Sequence, residues 1–128
     1  MSEPVKKRIL VVDDSAFMRA SIQSTIATSH TYEVSGCAKD GEEAKAMCQS
    51  LLPDIITLDN ILPDVIGFQL IPYFKEVHPT VKILIVSAVR QLDIVKKTQE
   101  LGADGYLGKP FLDNDLLNAL DGMYKTVS

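Results

Sequence analysis

The sequence has no apolar run long enough to cross a membrane, and we expect no N-terminal signal peptide. Lys6, Lys7 and Arg8 lead into only four apolar residues, Ile9 to Val12. A membrane helix needs about 20 such residues, and the core of a signal peptide about 7–15. We therefore expect a cytoplasmic protein that has no membrane partner.

An excess of basic residues is also lacking, and cysteines are few. The formal net charge is −4, with 13 Lys and Arg against 17 Asp and Glu. Direct binding to nucleic acid requires a basic face, so we expect no nucleic-acid partner. Cys37 and Cys48 lie in a predicted strand and a predicted helix. Because the cytosol is reducing, we expect two buried thiols rather than a disulfide.

The chain does contain five short apolar runs with helical periods between them. The runs are ILVV at 9–12, YEVSGCA at 32–38, DIITL at 54–58, KILIVS at 82–87 and GYLG at 105–108. Strands that are apolar at every position are typical of parallel sheets covered on both faces, and the weaker run at 32–38 is typical of an edge strand. The pattern predicts an α/β fold, a doubly wound five-stranded parallel sheet with right-handed crossovers.

Local signals mark several helix ends. Asp40 followed by Glu43 predicts a capping box at the start of the second helix, and Gly102 after Leu101 predicts the end of the fourth. At 128 residues, with only 19 after Lys109 (128 minus 109), the chain is expected to be one domain over 1–128 with a core at about 7–124. We expect a monomer with no output domain.

Charged and polar side chains end four of the five predicted strands. Asp13 and Asp14 end the first, Asp59 the third, Ser87 the fourth and Lys109 the fifth. In doubly wound sheets, ligands bind beyond the carboxyl ends of the strands. If the first and third strands are neighbours, Asp59 lies within about 5–7 Å of the acidic pair. Lys109, about 10 Å away, is long enough to span most of that distance.

Three carboxylates at one edge of a sheet repel one another. Two such charges about 4 Å apart repel by roughly 4 kcal/mol at an effective dielectric constant near 20. One ammonium group cannot offset this, whereas a divalent cation can, and an all-oxygen site suits Mg²⁺. Each residue alone has an ordinary structural explanation as a cap, a loop residue or a solvated charge. Together, Asp13, Asp14 and Asp59 predict a magnesium site.

The chain resembles the CheY-like receiver domains of response regulators over essentially its whole length. The matching segments are LVVDDSAFMR, PDIITLDNILP with Gly67 after it, ILIVSA and GADGYLGKPF. The resemblance implies the strand order 2-1-3-4-5. It also implies a stand-alone response regulator of two-component signalling, with chemotaxis as the expected pathway. Such a protein is not an enzyme with a separate substrate, because it catalyses phosphoryl transfer to itself and its own slow dephosphorylation.

The resemblance also implies roles for the carboxylates. Asp59 is the expected phosphoacceptor, which takes a phosphoryl group from a histidine kinase. Asp14 is expected to bind Mg²⁺ directly and Asp13 mostly through water, with Asp59 and the backbone carbonyl of Ile61 completing the protein ligands.

Further roles follow from the same resemblance. Ser87 and Lys109 are the expected catalytic contacts to phosphoryl oxygens. Ser87 and Tyr106 form the expected switch, in which Tyr106 turns inward when Ser87 moves. The Lys109–Pro110 bond is expected to be cis. The output partner is a protein that the sequence does not identify, and a flagellar motor switch is one candidate.

Two positions beside the phosphoryl group tune dephosphorylation in the family, and here they are Ile61 and Val89. Neither side chain can form a hydrogen bond, so neither can orient the attacking water. We expect slow loss of the phosphoryl group, and from this, an external phosphatase.

Three departures from the family pattern stand out. Ile66 occupies a position where an acidic residue is usual, and Gly108 precedes Lys109 where a β-branched or small polar residue is commoner; glycine weakens a strand. Pro72 falls in the expected third helix and would cost roughly 3 kcal/mol in a helix interior. We therefore predict that Pro72 starts or kinks that helix.

Other protein classes fit less well. A flavodoxin-like cofactor binder needs a loop rich in Ser, Thr and Gly after the first strand, and a P-loop NTPase needs a Gly-rich loop ending in Gly-Lys. A haloacid-dehalogenase-like phosphatase needs a second aspartate two residues after Asp59, where Ile61 stands. The main alternative is a non-phosphorylated pseudo-receiver that acts as a protein-binding module.

Overall fold

Five parallel strands form one sheet, and their spatial order, numbered along the chain, is 2-1-3-4-5, as predicted. A computed structural model describes residues 5–124. The strands are β1 Lys7–Val12, β2 Tyr32–Ala38, β3 Ile55–Leu58, β4 Lys82–Ser87 and β5 Gly105–Gly108. The helices are α1 Ala16–Ala27, α2 Gly41–Leu51, α3 Ile71–Val77, α4 Leu92–Glu100 and α5 Asp113–Gly122. None of the helices in residues 5–124 is long and apolar enough to span a membrane.

The sheet is buried on both faces, which explains its continuously apolar strands. In β1, Ile9 and Val11 pack with α1 and α5 residues, whereas Leu10 and Val12 pack with α2 and α3 residues. Alternate side chains of a strand point to opposite faces, so both sets must be apolar. One hydrophobic core therefore packs on each face of the sheet, and polar groups lie at the carboxyl ends of the strands.

Helix ends largely follow the sequence signals. Asp40 caps α2 by accepting a hydrogen bond from the Glu43 N–H (2.8 Å). The return contact differs from the predicted capping box, because Glu43 accepts from the Lys39 N–H (3.1 Å) and not from Asp40. Helix α4 ends as predicted, and Gly102 adopts φ +112°, a left-handed conformation that glycine tolerates best.

Pro72 lies in the first turn of α3, which confirms that it does not occupy a regular helix interior. A short 3-10 turn, Gly67–Leu70, leads directly into α3. Proline is tolerated in the first turn because its missing N–H would have had no helical partner there. The Lys109–Pro110 peptide is cis, as expected.

The edge strand β2 is less regular than the others. Ile9 pairs with Val34 and Leu10 with Gly36, so Ser35 is an extra residue in the ladder. The expectation of two buried thiols is correct for Cys48, but Cys37 is only half-buried. Cys37 lies on the edge strand, where fewer neighbours cover a side chain.

Candidate functional site

The carboxylates of Asp13, Asp14 and Asp59 meet at the carboxyl end of the sheet. Each offers an oxygen within 4.8 Å of the others. Backbone hydrogen bonds continue past the strands and fix this arrangement: Asp59 N–H donates to the Val12 carbonyl (2.9 Å), and Asp13 N–H to the Ala38 carbonyl (3.0 Å). The neighbouring positions of β1 and β3 thus bring together residues 46 positions apart (59 minus 13).

Lys109 directly follows β5, which lies two strands away from β3, and its side chain reaches this cluster. Its Nζ lies 2.8 Å from Asp13 Oδ2 and 3.7 Å from Asp59 Oδ2. The ammonium group therefore sits between two of the three carboxylates, as its length had suggested.

The three carboxylates differ in how many partners they have. Asp13 is buried, and both of its carboxylate oxygens have partners. Oδ1 accepts a hydrogen bond from the Ser15 N–H (2.9 Å), and Oδ2 accepts one from Lys109. The backbone carbonyl of Asp13 also accepts a hydrogen bond from the Arg19 guanidinium (2.8 Å). Asp14 is exposed, and within residues 5–124 its carboxylate has no hydrogen-bond or ion-pair partner. This difference suits a direct metal ligand at Asp14 and a water-mediated one at Asp13.

The electrostatics of the cluster favour a bound cation. Burial raises the pKa of the Asp59 carboxyl; the Lys109 ammonium opposes that rise, and the nearby Asp13 adds to it. Three carboxylates with one ammonium leave an uncompensated negative charge on hard oxygen donors. This donor set fits a small divalent cation such as Mg²⁺.

The backbone of Ile61 is directed towards the cluster. Residues 60–67 fold into a hairpin-like loop that two backbone hydrogen bonds close. The Gly67 N–H donates to the Asn60 carbonyl (2.6 Å), and the Leu62 N–H donates to the Val65 carbonyl (3.2 Å). Ile61 and Ile66 lie opposite each other between these two hydrogen bonds. In such a non-hydrogen-bonded pair, the N–H and C=O of each residue point away from the other side of the loop. Because the Ile61 N–H donates to Asp59 Oδ1 (3.3 Å), its carbonyl faces the same side, as a metal ligand would require.

Gly67 lets the loop close against the backbone of Asp59. A Cβ atom at this position would lie 2.1 Å from the Asp59 carbonyl oxygen and 2.9 Å from the Asn60 Cα. Only glycine fits without a shift of the backbone beside Asp59.

Gly67→Ala should therefore lower the free energy of unfolding by about 1–3 kcal/mol, the usual cost of overpacking. Chemical denaturation provides the measurement. Gly122→Ala is the matched control, because a Cβ there meets nothing within 4 Å and alanine favours a helix. Equal stability of the Gly67→Ala variant and the wild type would contradict the close approach.

The hydroxyl of Ser87 is buried at the end of β4. It accepts a hydrogen bond from the Val89 N–H (3.1 Å), and the Val89 carbonyl accepts one from the Tyr106 hydroxyl on β5. Tyr106 is half-buried and packs against the core on the α2 and α3 side. Ser87 and Tyr106 are thus joined through one residue of the β4–α4 loop.

The side chains of Ile61 and Val89 both contact solvent, and Ile61 is the more exposed of the two. Ile61 is 64% exposed, and Val89 is half-buried. Ile61 follows Asp59 by two residues and Val89 follows Ser87 by two, so both lie on loops at the same rim.

Three contacts around the site were not predicted from the sequence. The Asp64 carboxylate accepts from the backbone N–H groups of Gly41 (2.8 Å) and Glu42 (3.1 Å), which anchors the 60–67 loop to the start of α2. These hydrogen bonds, chiefly that from Gly41, lower the pKa of the Asp64 carboxyl.

Two arginines donate to backbone carbonyls beside the site. Arg19 donates to the Asp13 carbonyl, and Arg90 donates to the Lys109 carbonyl. The sequence held one sign of these contacts, and it relates to Arg90. Glycine occupies position 108, where a β-branched or small polar residue is commoner in the family.

Comparison with known proteins shows the family. Residues 9–121 match the response regulator receiver domain. The chain is 37% identical over 119 residues to the chemotaxis protein CheY of Thermotoga maritima, covering 93% of this chain and 98% of that protein. A CheX–CheY–BeF3–Mg²⁺ complex from Borrelia burgdorferi gives a TM-score of 0.86 at 26% identity, covering 94% of this chain and 90% of that one.

A second solved structure is also similar. It is a response regulator from Burkholderia pseudomallei with a phosphorylated aspartic acid, a calcium ion and citrate. Its TM-score is 0.81 at 26% identity, and the alignment covers 90% of this chain and 66% of that one. With the family match over most of its length and the CheY relative, the chain belongs to the response regulator receiver domain family, which acts in two-component signalling.

Proposed function

We propose that this protein is a single-domain response regulator that accepts a phosphoryl group on Asp59 with Mg²⁺ and thereby switches its binding to a partner. Receiver domains are signalling proteins and are mainly non-enzymatic. The observation that carries the proposal is the group formed by Asp13, Asp14 and Asp59, with Lys109 placed between two of its members. The single domain over 1–128 and its cytoplasmic location are parts of this proposal.

The transfer itself needs positioned charges and little else. An Asp59 oxygen attacks the phosphorus of a phosphorylated histidine; the new P–O bond forms as the P–N bond breaks, and its electron pair returns to the imidazole nitrogen. A bound Mg²⁺ supplies charge neutralisation for the transferring oxygens. Asp14, Asp13, Asp59 and the Ile61 carbonyl would hold it. Lys109 pairs with a phosphoryl oxygen once the phosphoryl group has taken the place of the Asp59 charge.

The signal leaves the site through Ser87. The acyl phosphate carries about −1.5 to −2 charge where the Asp59 carboxylate carried −1, and it places that charge on three phosphoryl oxygens at the rim. The Ser87 hydroxyl, which accepts from Val89 in this structure, turns to donate to a phosphoryl oxygen. The Val89 N–H then loses its acceptor, and the loop that it belongs to shifts together with the carbonyl that Tyr106 binds. The altered surface comprises α4, β5 and α5.

The relatives support the partners of the proposal. CheY of Thermotoga maritima is a chemotaxis protein, so a histidine kinase and a chemotaxis target such as a flagellar motor switch are proposed here. The Borrelia CheY carries BeF3 and Mg²⁺ in a complex with CheX, which supports binding of a further protein at a loaded receiver. We assign that role here to an external phosphatase, and we propose a monomeric chain otherwise.

Phosphorylation by acetyl phosphate should require a divalent cation, because the carboxylates otherwise repel both one another and the incoming phosphoryl group. Label incorporation is measured in Mg²⁺ and in excess chelator. We expect labelling to fall to background in chelator.

Asp14→Asn should raise the Mg²⁺ concentration needed for half-maximal labelling, whereas Asp93→Asn, an exposed carboxylate at the start of α4, serves as the matched control. Labelling that continues undiminished in chelator would contradict the metal site. Absence of labelling in every condition would favour the pseudo-receiver.

A further inference from the structure

The guanidinium group of Arg90 lies flat against Gly108. A Cβ atom on Gly108 would meet Arg90 Cζ at 3.2 Å, Nη1 at 3.2 Å and Nη2 at 3.3 Å. Three nearly equal distances mean that the planar group faces the glycine, so a Cβ at 108 would make the guanidinium give way by a few tenths of an ångström, and a branched side chain would compete for its position. Gly108 thus has a use that strand propensity alone does not explain.

Arg90 also binds the backbone of the residue that reaches the carboxylates. Its Nη2 donates to the Lys109 carbonyl (2.7 Å), and the Lys109 N–H donates to the Ser87 carbonyl (2.9 Å). The backbone of Lys109 is therefore held on both sides, while its Nζ contacts Asp13 and Asp59.

The same arginine belongs to the loop that follows Ser87. Val89 accepts from Tyr106, and Arg90, the next residue, donates to Lys109, so two adjacent residues connect this loop to β5. Arg90 is exposed and, among the described residues, forms no ion pair with a carboxylate. Within residues 5–124, its one polar contact is this backbone carbonyl.

We propose that Arg90, which lies over Gly108, is a positioning residue that fixes Lys109 relative to the β4–α4 loop. This inference rests on the proposed phosphorylation of Asp59. When Arg90 is in place, Lys109 and the loop that carries Val89 keep one relative position. Without it, the Lys109 backbone loses one of its two restraints, and Lys109 Nζ is presented less accurately to the phosphoryl oxygens.

The test is a double-mutant cycle on Arg90 and Gly108. Arg90→Ala removes the guanidinium, and Gly108→Val displaces it while favouring the strand. Each should slow phosphorylation by acetyl phosphate at saturating Mg²⁺ by about five- to tenfold, less than the 10²–10³-fold that follows loss of a transition-state donor. The double variant should be no slower than either single one, because both changes remove the same contact.

Three further measurements separate positioning from general damage. The Mg²⁺ affinity should stay within about twofold of the wild type, since neither residue is among the proposed ligands, and thermal unfolding should show an intact fold in each variant. Arg90→Lys should recover part of the rate, because an ammonium group can donate to the carbonyl but cannot stack on Gly108.

Several outcomes would overturn the inference. They are labelling of the Arg90→Ala variant at the wild-type rate, effects that multiply in the double variant, or a parallel loss of Mg²⁺ affinity. A wild type that takes up no label at all would instead reject the proposed function, so the two failures are distinguishable.

Discussion

Asp59→Asn should abolish incorporation of label from acetyl phosphate, because an amide is not a nucleophile at phosphorus. The variant should remain folded. Burial raises the pKa of the Asp59 carboxyl, so the folded protein binds its proton more readily than the unfolded chain does. The ionised carboxylate therefore costs stability as the pH rises through the range between the unfolded and folded pKa values. The neutral amide removes that cost in the metal-free protein.

The matched control is Asp54→Asn, the same substitution at the other end of β3. Asp54 accepts a hydrogen bond from the Arg8 N–H (2.8 Å), which an amide oxygen can still accept. We expect this variant to label like the wild type. Label on the Asp59→Asn protein, in an amount comparable with the wild type, would show that another residue accepts the phosphoryl group.

Replacing both apolar residues beside the phosphoryl site should shorten the life of the acyl phosphate. Hydrolysis needs a water aligned opposite the Asp59 oxygen, and Ile61 and Val89 can neither donate nor accept hydrogen bonds through their side chains. In the variant Ile61→Asn with Val89→Glu, polar groups can orient that water. We expect decay in excess Mg²⁺ to accelerate by about tenfold or more. This is less than the 10²–10⁴-fold typical of acid–base assistance, because positioning a water contributes less than proton transfer to it.

The decay of labelled protein after removal of acetyl phosphate gives this rate. Ile66→Asn is the control for the first substitution, because Ile66 is a similarly exposed isoleucine in the same loop, opposite Ile61. It should leave the decay unchanged. A double variant that decays no faster than the wild type would contradict the idea that Ile61 and Val89 shield the acyl phosphate.

The fold could be predicted because its local signals agree with one another. The run KILIVS and the run GYLG coincide with β4 and β5, and Pro72 falls in the first turn of α3, where its ring is tolerated. The extra residue at Ser35 in β2 could not be predicted, because an edge strand tolerates a bulge without any residue that demands one. Strand order came from the family resemblance, since periodicity does not define which strands are neighbours.

The side chains at the strand ends could be predicted, whereas the contacts that support them could not. Asp13, Asp59 and Lys109 follow strands whose ends must share one rim. Asp64 and Arg90 lie in loops, and their partners are backbone groups of Gly41 and Lys109. A backbone N–H or carbonyl has no identity in the sequence, so a pairing of this kind becomes visible only when the loop conformation is known.

Trapping the acyl phosphate with borohydride shows directly whether Asp59 carries the phosphoryl group. The protein is treated with acetyl phosphate in Mg²⁺, reduced with borohydride, which converts an aspartyl phosphate to homoserine, and mapped by mass spectrometry of its peptides. We expect homoserine at position 59, in an amount that falls to background when chelator is present. Modification at another residue, or an unmodified Asp59 in protein that carries label, would contradict it.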